Sequence, residues 1–405
     1  MGASSVLISG AGIAGPALAF WLNAAGFKTT IVERAPGLRA AGYVIDFWGA
    51  GYDIAERMGL KNELKRVGYM MRELRIVDAR GERVAGFGTR VFRELTGGRY
   101  VTLARSDLSR LMFEALSGDT EILFGDEIDA LESRTDCVEV RFQRAGARSF
   151  DLVIGADGLH SNVRKLAFGP RHQFEKDLGY VVAAFEAEDY RPRDDNVYVL
   201  YSAPGRMVGR VALRGDRTLI LFVFARNGEP LPPALDLPAE RAMLRKSYGA
   251  EEWECGQILD RLDRTRNLYF DPVAQIKMPA WSRGRVALVG DAAFCVSLMA
   301  GQGSALSIAA AYVLAGELAK AGGRHDEAFA NYEALLRPFI ERKQKGAQRF
   351  SAAFAPKTRL GLFFRNQVIR ACAIPGLAKF ALSRDIADSL RLPDYSWPAL
   401  ARAAE

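Results

Sequence analysis

Cysteine is scarce in this sequence. Four residues, at 137, 255, 295 and 372, are scattered through 405 with no C-x-x-C pair. That excludes a disulfide scaffold and a cysteine zinc site. Histidine is scarcer, with only 3, at 160, 172 and 325 and without ligand spacing, so no metal centre is expected. No apolar run reaches the roughly 18 residues that cross a bilayer, and no membrane partner is expected. The small apolar residues of 6–27 lack a basic leading region, and their glycines are spaced for a turn. They read as folded structure rather than a signal peptide, which makes cytoplasm the expected compartment. Lys+Arg 55 against Asp+Glu 48 gives a net charge of +7. The cations are dispersed, without a basic stripe interleaved with aromatics, so no nucleic-acid partner is expected. They keep the surface soluble and help attract an anionic cofactor.

What is present is an ordinary globular mix, 49% hydrophobic and 25% charged. At about 150 residues per domain the chain holds two or three domains. Residues 6–9 (VLIS) read as a buried strand, 17–25 as a helix ended by Gly26, and 28–33 (KTTIVE) as a second strand. This is the size of a βαβ unit. Residues 74–79 and 82–87 read as a hairpin around Arg80-Gly81. Four strand candidates follow one another at 180–186, 196–201, 207–213 and 218–225. Helices are expected at 105–116, 304–321, 326–349 (bent at Pro338) and 360–382. Strand–helix units thus stand at both ends, with a mostly antiparallel sheet between them.

Gly10-x-Gly12-x-x-Gly15 joins the first strand to the first helix, with Ala14 inside it. Gly10 permits the tight turn, Gly12 lets a pyrophosphate approach the backbone, and Gly15 lets helix and strand pack closely. The helix N-terminus offers free N–H groups to phosphate. Glu33, followed by Arg34, ends the second strand, where a carboxylate accepts the ribose hydroxyls of an adenosine. The pattern marks a dinucleotide site and by itself does not separate NAD from FAD.

Two further strands deliver polar turns. Residues 151–158 end in Gly-Ala-Asp157-Gly158, followed by Ser161 and Arg164. Residues 284–293 end in Gly290-Asp291-Ala-Ala, and Gly301-Gln302-Gly303 then opens a small-residue helix. In this order and spacing, the three motifs resemble the single-component flavoprotein monooxygenases of the p-hydroxybenzoate hydroxylase type, over residues 4–340. The resemblance implies that the first motif binds the ADP part of FAD. It implies that Asp157, Gly158 and Arg164 serve FAD and NAD(P)H, and that Asp291 holds the ribityl chain. Arg105, before Ser-Asp-Leu, matches a helix start whose Arg contacts FAD. Where the family often carries His and Pro-Pro after Gly-Asp-Ala-Ala, this chain has Phe294 and Val296-Ser297. The Gly-Gln-Gly loop and the Ala-rich helix resemble tetracycline- and polyketide-modifying members, which implies a larger apolar substrate.

The fold so implied is α/β: a Rossmann-like FAD-binding domain (1–72, 101–170, 281–340), an inserted mostly antiparallel β-sheet substrate domain (73–100, 171–280), and C-terminal helices (341–405). The implied reaction takes a hydride from NADPH or NADH to FAD and adds oxygen at C4a. The resulting hydroperoxide hydroxylates an aromatic or polycyclic small molecule. No second G-x-G-x-x-G is present, so the nicotinamide nucleotide is expected to bind transiently. Two other readings stay open: a same-fold dehydrogenase or reductase, and a flavin-carrying protein that sequesters a ligand. The chain is expected to be a monomer or homodimer. No catalytic acid or base stands out. Candidates for the substrate wall are Tyr198, Tyr201, Phe222 and Phe224 on the central strands, and Phe294. Asp46, alone in the apolar run Tyr43-Val-Ile-Asp-Phe-Trp, reads either as a contact near the flavin or as an edge position. Sequence alternation does not say which sheet face lines the pocket. His160 is expected at the surface and Cys295 as a small buried residue. The C-terminal basic residues Lys357, Arg359, Arg365, Arg370, Lys379 and Arg384 are expected on the solvated face of a helix packed over the core, with a membrane-surface helix and a cap over the substrate entrance as the alternatives.

Overall fold

The computed structural model describes residues 4–38, 42–116, 118–232, 235–374 and 390–398. Four sheets organise it. The first has six strands in the order Ser282–Arg283, Val286–Leu288, Leu152–Gly155, Ser5–Ser9, Lys28–Glu33 and Glu121–Phe124. All its pairings are parallel except that of the short edge strand Ser282–Arg283. Its central strands are apolar along their whole length because helices cover both faces. One covering helix is Ala14–Ala24. Another is Gly303–Lys320, whose alanines let it sink into the core from Ala305 to Leu318.

The second sheet has seven strands: Tyr269–Ile276, Glu175–Glu188, Arg217–Ala225, Arg206–Ala212, Val197–Ala203, Glu73–Val77 and Arg83–Gly88. It is antiparallel except where Val197–Ala203 meets Glu73–Val77. The expected hairpin and the four successive strand candidates that follow it all fall in it. The sequence reading missed the helices Leu237–Tyr248 and Cys255–Leu262. These two cover one face of the sheet and bury Val199, Ile220, Phe222 and Phe224 beneath them. The opposite face packs against Tyr43, Val44 and Met299. A two-stranded ribbon, Val44–Trp48 with Tyr100–Ala104, lies between the two sheets in sequence and carries Asp46.

The helix expected at 326–349 runs over His325–Phe354 and holds Pro338 inside it. The next helix, Arg359–Ala371, lies on strands Arg83–Gly88 and Val197–Ala203. The remainder of the helix expected to 382, with Lys379 and Arg384, lies outside the described residues. Residues 390–397 return to the first sheet's helices. There Tyr395 and Trp397 join Trp21 and Tyr312 in an aromatic cluster. Among the described residues, no helix is long and apolar enough to cross a membrane.

Candidate cofactor and substrate site

The glycine-rich turn is built by close approach. A Cβ on Gly15 would lie 2.0 Å from the Gly10 carbonyl oxygen, and one on Gly10 (φ +107°) 2.7 Å from that of Ala156. Backbone cannot give way at either point, so only glycine fits. At Gly12 a Cβ would meet nothing within 4 Å, which leaves room for a ligand. Ala14 is buried at the helix start. Glu33 accepts the Ala11 N–H through Oε2 and the Ala35 N–H through Oε1, both at 2.9 Å. It therefore shapes the loop and keeps further lone pairs for ribose hydroxyls. Arg34 beside it is exposed.

Asp157 caps the helix Asn162–Ala167: its Oδ2 accepts the N–H groups of Asn162 (2.8 Å) and Val163 (3.0 Å). Its Oδ1 is buried with no hydrogen-bond partner. Burial pushes the carboxyl's pKa up, against these hydrogen bonds. Gly158 (φ +77°) borders open space. Arg164 departs from the expected cofactor contact. It is 1% exposed, and its guanidinium ties the Leu159 and Ala292 carbonyls at 2.6 and 2.9 Å. It joins the two polar turns from behind, because a desolvated guanidinium needs several acceptors. His160 is exposed, as expected, but engaged: Arg171 donates to Nδ1 at 2.6 Å, and Nε2 donates to Asp271 Oδ1 at 2.7 Å.

Gly290 (φ +65°) lies so close to the long helix that a Cβ would sit 2.6 Å from Ser307 Oγ. Asp291 follows, and a Cβ on Gly303 would come within 3.5 Å of its Oδ1. Gly301 adopts the left-handed turn (φ +65°), and Gln302 precedes the helix. Thus Asp291 faces the start of Gly303–Lys320. Burial raises its pKa, and the neighbouring Arg105 opposes the rise. Arg105 itself feels burial, then Tyr43, Tyr269, Asp291 and Asp271, whose attraction outweighs burial and holds it charged. Tyr43 is pushed up to about 12 by burial, and its ring stands 5.1 Å from that of Tyr269. Tyr43, Tyr269 and Asp271 were not singled out from the sequence, because nothing local marks them.

Phe294 also departs from expectation. It is 3% exposed and packs on Trp281 at 4.7 Å, behind the loop rather than along it. Buried glutamines hold this loop. Gln275 donates to Val296 O (2.8 Å), and Gln344 to Ile276 O (2.8 Å) and Cys295 O (3.2 Å). Gln275, a lone amide in the apolar run Val-Ala-Gln-Ile, was the available signal. Cys295 is buried, as expected.

At the near face of the second sheet, two residues marked by the sequence meet. The hydroxyls of Tyr100, Thr102 and Tyr198 all donate to Asp46 Oδ1, at 2.7, 2.6 and 2.6 Å. Asp46 is half-buried and caged by hydroxyls rather than free at an edge. Tyr201, Phe222 and Phe224 are a correction, since they point to the far face. The Tyr201 hydroxyl donates to Glu251, and Phe222 and Phe224 pack on Tyr248. The near face instead presents Tyr198, Leu200, Ser202 and Leu221, all half-buried.

An unpartnered buried carboxylate oxygen, open space at Gly12 and Gly158, and a half-buried Arg105–Asp291 pair fit a dinucleotide flavin. Comparison with known proteins agrees. Residues 3–346 match a family model described as FAD binding domain. An uncharacterized protein of Mycobacterium tuberculosis (strain ATCC 25618 / H37Rv) is 39% identical, over 84% of this chain and 91% of its own. A flavin-dependent monooxygenase from an unknown prokaryotic organism is 32% identical, over 96% and 98%. The crystal structure of the tetracycline destructase Tet(51) superposes with a TM-score of 0.83 at 30% identity, over 97% of this chain and 100% of that one. Glycine turns, polar strand ends and overall likeness converge: the chain belongs to the FAD-binding family of flavin-dependent monooxygenases and is an FAD-dependent oxidoreductase.

Proposed function

We propose that this protein hydroxylates an aromatic or polycyclic small molecule, consuming NADPH or NADH and molecular oxygen. The observation that carries the reading is the juxtaposition of two surfaces. Arg105, Asp291 and Tyr43 come from the first sheet's loops and the ribbon. Tyr269, Tyr198, Leu200 and Leu221 come from the near face of the second sheet. FAD bound there would supply the redox chemistry between the nicotinamide nucleotide and oxygen. The chain's own residues do the rest. The Gly10–Gly15 turn and the helix N-terminus receive the pyrophosphate, and Glu33 takes the adenosine ribose. Asp291 takes the ribityl chain. Arg105 sets a fixed positive charge where an anionic cofactor needs it. The apolar near face excludes water and positions the substrate ring.

On this reading, residues 1–72, 101–170 and 281–340 form the cofactor domain. Residues 73–100 and 171–280 carry the substrate wall, and the described part of 341–405 belongs to a C-terminal helical segment. The test is turnover under labelled oxygen with NADPH or NADH and a panel of phenols and polycyclic enols. Incorporation of one labelled atom into product, with reductant consumption stimulated by that compound, is the expected result. An oxidised product without label would overturn hydroxylation in favour of dehydrogenation.

A further inference from the structure

Two groups of opposite charge flank the near face of the second sheet, and neither has an ionic partner among the described residues. Along Val197–Ala203 the side chains alternate, so Tyr198, Leu200 and Ser202 share that face. At the Tyr198 end stands Asp46. Its Oδ1 is saturated by three hydroxyls, whereas Oδ2 has no partner among the described residues and is not sealed by protein. Because all three hydroxyls donate, the carboxylate is held as an acceptor.

At the Ser202 end stands Arg365, from the helix Arg359–Ala371. Its guanidinium donates to Ser202 Oγ (2.9 Å), Phe354 O (3.3 Å) and Asn366 Oδ1 (2.8 Å). All three acceptors are neutral, and no carboxylate pairs with Arg365 among the described residues. Most other arginines of the second sheet are paired: Arg75 with Glu73 and Asp194, Arg206 with Glu251, and Arg210 with Asp194 and Glu254. Burial lowers the Arg365 pKa to about 10, so the group stays charged at neutral pH. A partly desolvated cation without a counter-ion is costly, and a ligand anion would remove that cost.

The ground between is apolar. Leu200 lies over Gly209, where a Cβ would come 2.5 Å from Leu200 Cδ2, and Leu221 flanks Gly209 on the next strand. Glycine here keeps the floor low. Four residues of strand separate Tyr198 from Ser202, roughly 13 Å.

We propose that Asp46 and Arg365 are the two poles of one ligand subsite. It takes an elongated, mostly apolar molecule with an O–H or N–H donor at the Asp46 end and a carboxylate or other oxyanion at the Arg365 end. Asp46 lies three residues from Tyr43, which borders the cofactor cleft, so the donor-bearing ring is the one presented for oxidation. The inference rests on the monooxygenase reading for its orientation but not for its binding test.

The test is a titration of the FAD-loaded protein with 6-hydroxy-2-naphthoate, 2-naphthol and 2-naphthoate, read by perturbation of the flavin spectrum without reductant. The bipolar compound should bind at least about tenfold more tightly than either monofunctional one. Arg365→Gln should weaken the two carboxylates about tenfold and leave 2-naphthol unchanged, and Arg365→Lys should recover part of the loss. Equal weakening of all three by Arg365→Gln would assign Arg365 a purely structural role and overturn the proposal. So would a wild-type protein that binds the bipolar compound no better than 2-naphthol, or not at all. Because no turnover is read, a protein that fails to hydroxylate still answers this question.

Discussion

The two faces of the seven-stranded sheet come from the same strands, yet they have opposite character. On the far face Val199, Ile220, Phe222 and Phe224 lie sealed beneath two amphipathic helices. On the near face Tyr198, Leu200, Ser202 and Leu221 stay half-buried. One face buys stability by excluding everything. The other leaves its apolar and polar groups half-buried, and on the proposed reading a ligand completes their burial. Side-chain alternation places residues one apart on these two faces, and their substitution should have separable effects.

The largest effect should come from the far face. Phe222 is fully buried against Phe185 and Tyr248, so Phe222→Ala should cost about 3–5 kcal/mol in a denaturant titration. Its ligand preference should be unchanged in whatever folds. A loss of stability below 1 kcal/mol, with altered ligand selection, would reverse the assignment of the faces.

The cofactor side should show the reverse pattern. Asp291→Asn should weaken FAD binding by about tenfold or more, in the range of lost charge-assisted hydrogen bonds, measured by flavin release on dilution. The apoprotein should instead gain stability at neutral pH. Burial raises the folded pKa of Asp291, so the folded state holds its proton more tightly than the unfolded chain does. The ionisation penalty is therefore complete above the raised folded value and absent below the ordinary 3.8. Thermal melts of both apoproteins should differ at pH 7 and converge as the pH falls below that range.

The smallest effect belongs to Tyr198→Phe, which removes one of three hydroxyls from Asp46 Oδ1. About 1 kcal/mol of stability is expected, with weaker binding of donor-bearing aromatics. Binding of such ligands unchanged within error would separate the Asp46 cluster from the site.

The dinucleotide site was legible because its physics is local. Gly10, Gly12 and Gly15 encode a turn within six residues, and Glu33 follows at the end of the next strand. Asp157 and Asp291 could be placed at strand ends for the same reason. The sheet proposed to carry the substrate wall was half legible. The strands were recognised, and Tyr198 and Asp46 were singled out, but Tyr201, Phe222 and Phe224 were included with them. What turned those three away are the helices Leu237–Tyr248 and Cys255–Leu262, which the sequence reading had not drawn. Arg164 and Phe294 were recognised by position in a motif. That position does not distinguish a residue facing a ligand from one bracing the loop behind it.

By itself, then, the sequence determined the cofactor class, the α/β cofactor fold and the existence of a β-rich insert. Backbone conformation, helix start and strand period depend on neighbours a few residues apart. Only the tertiary structure decided which sheet face is sealed and which is open. It also decided that Asp46 gathers hydroxyls from Tyr100, Thr102 and Tyr198, and that Arg365, beside Ser202, has no acid paired with it among the described residues. Those outcomes depend on contacts between residues far apart in the chain. Alternating apolar side chains satisfy either face equally until a partner covers one of them.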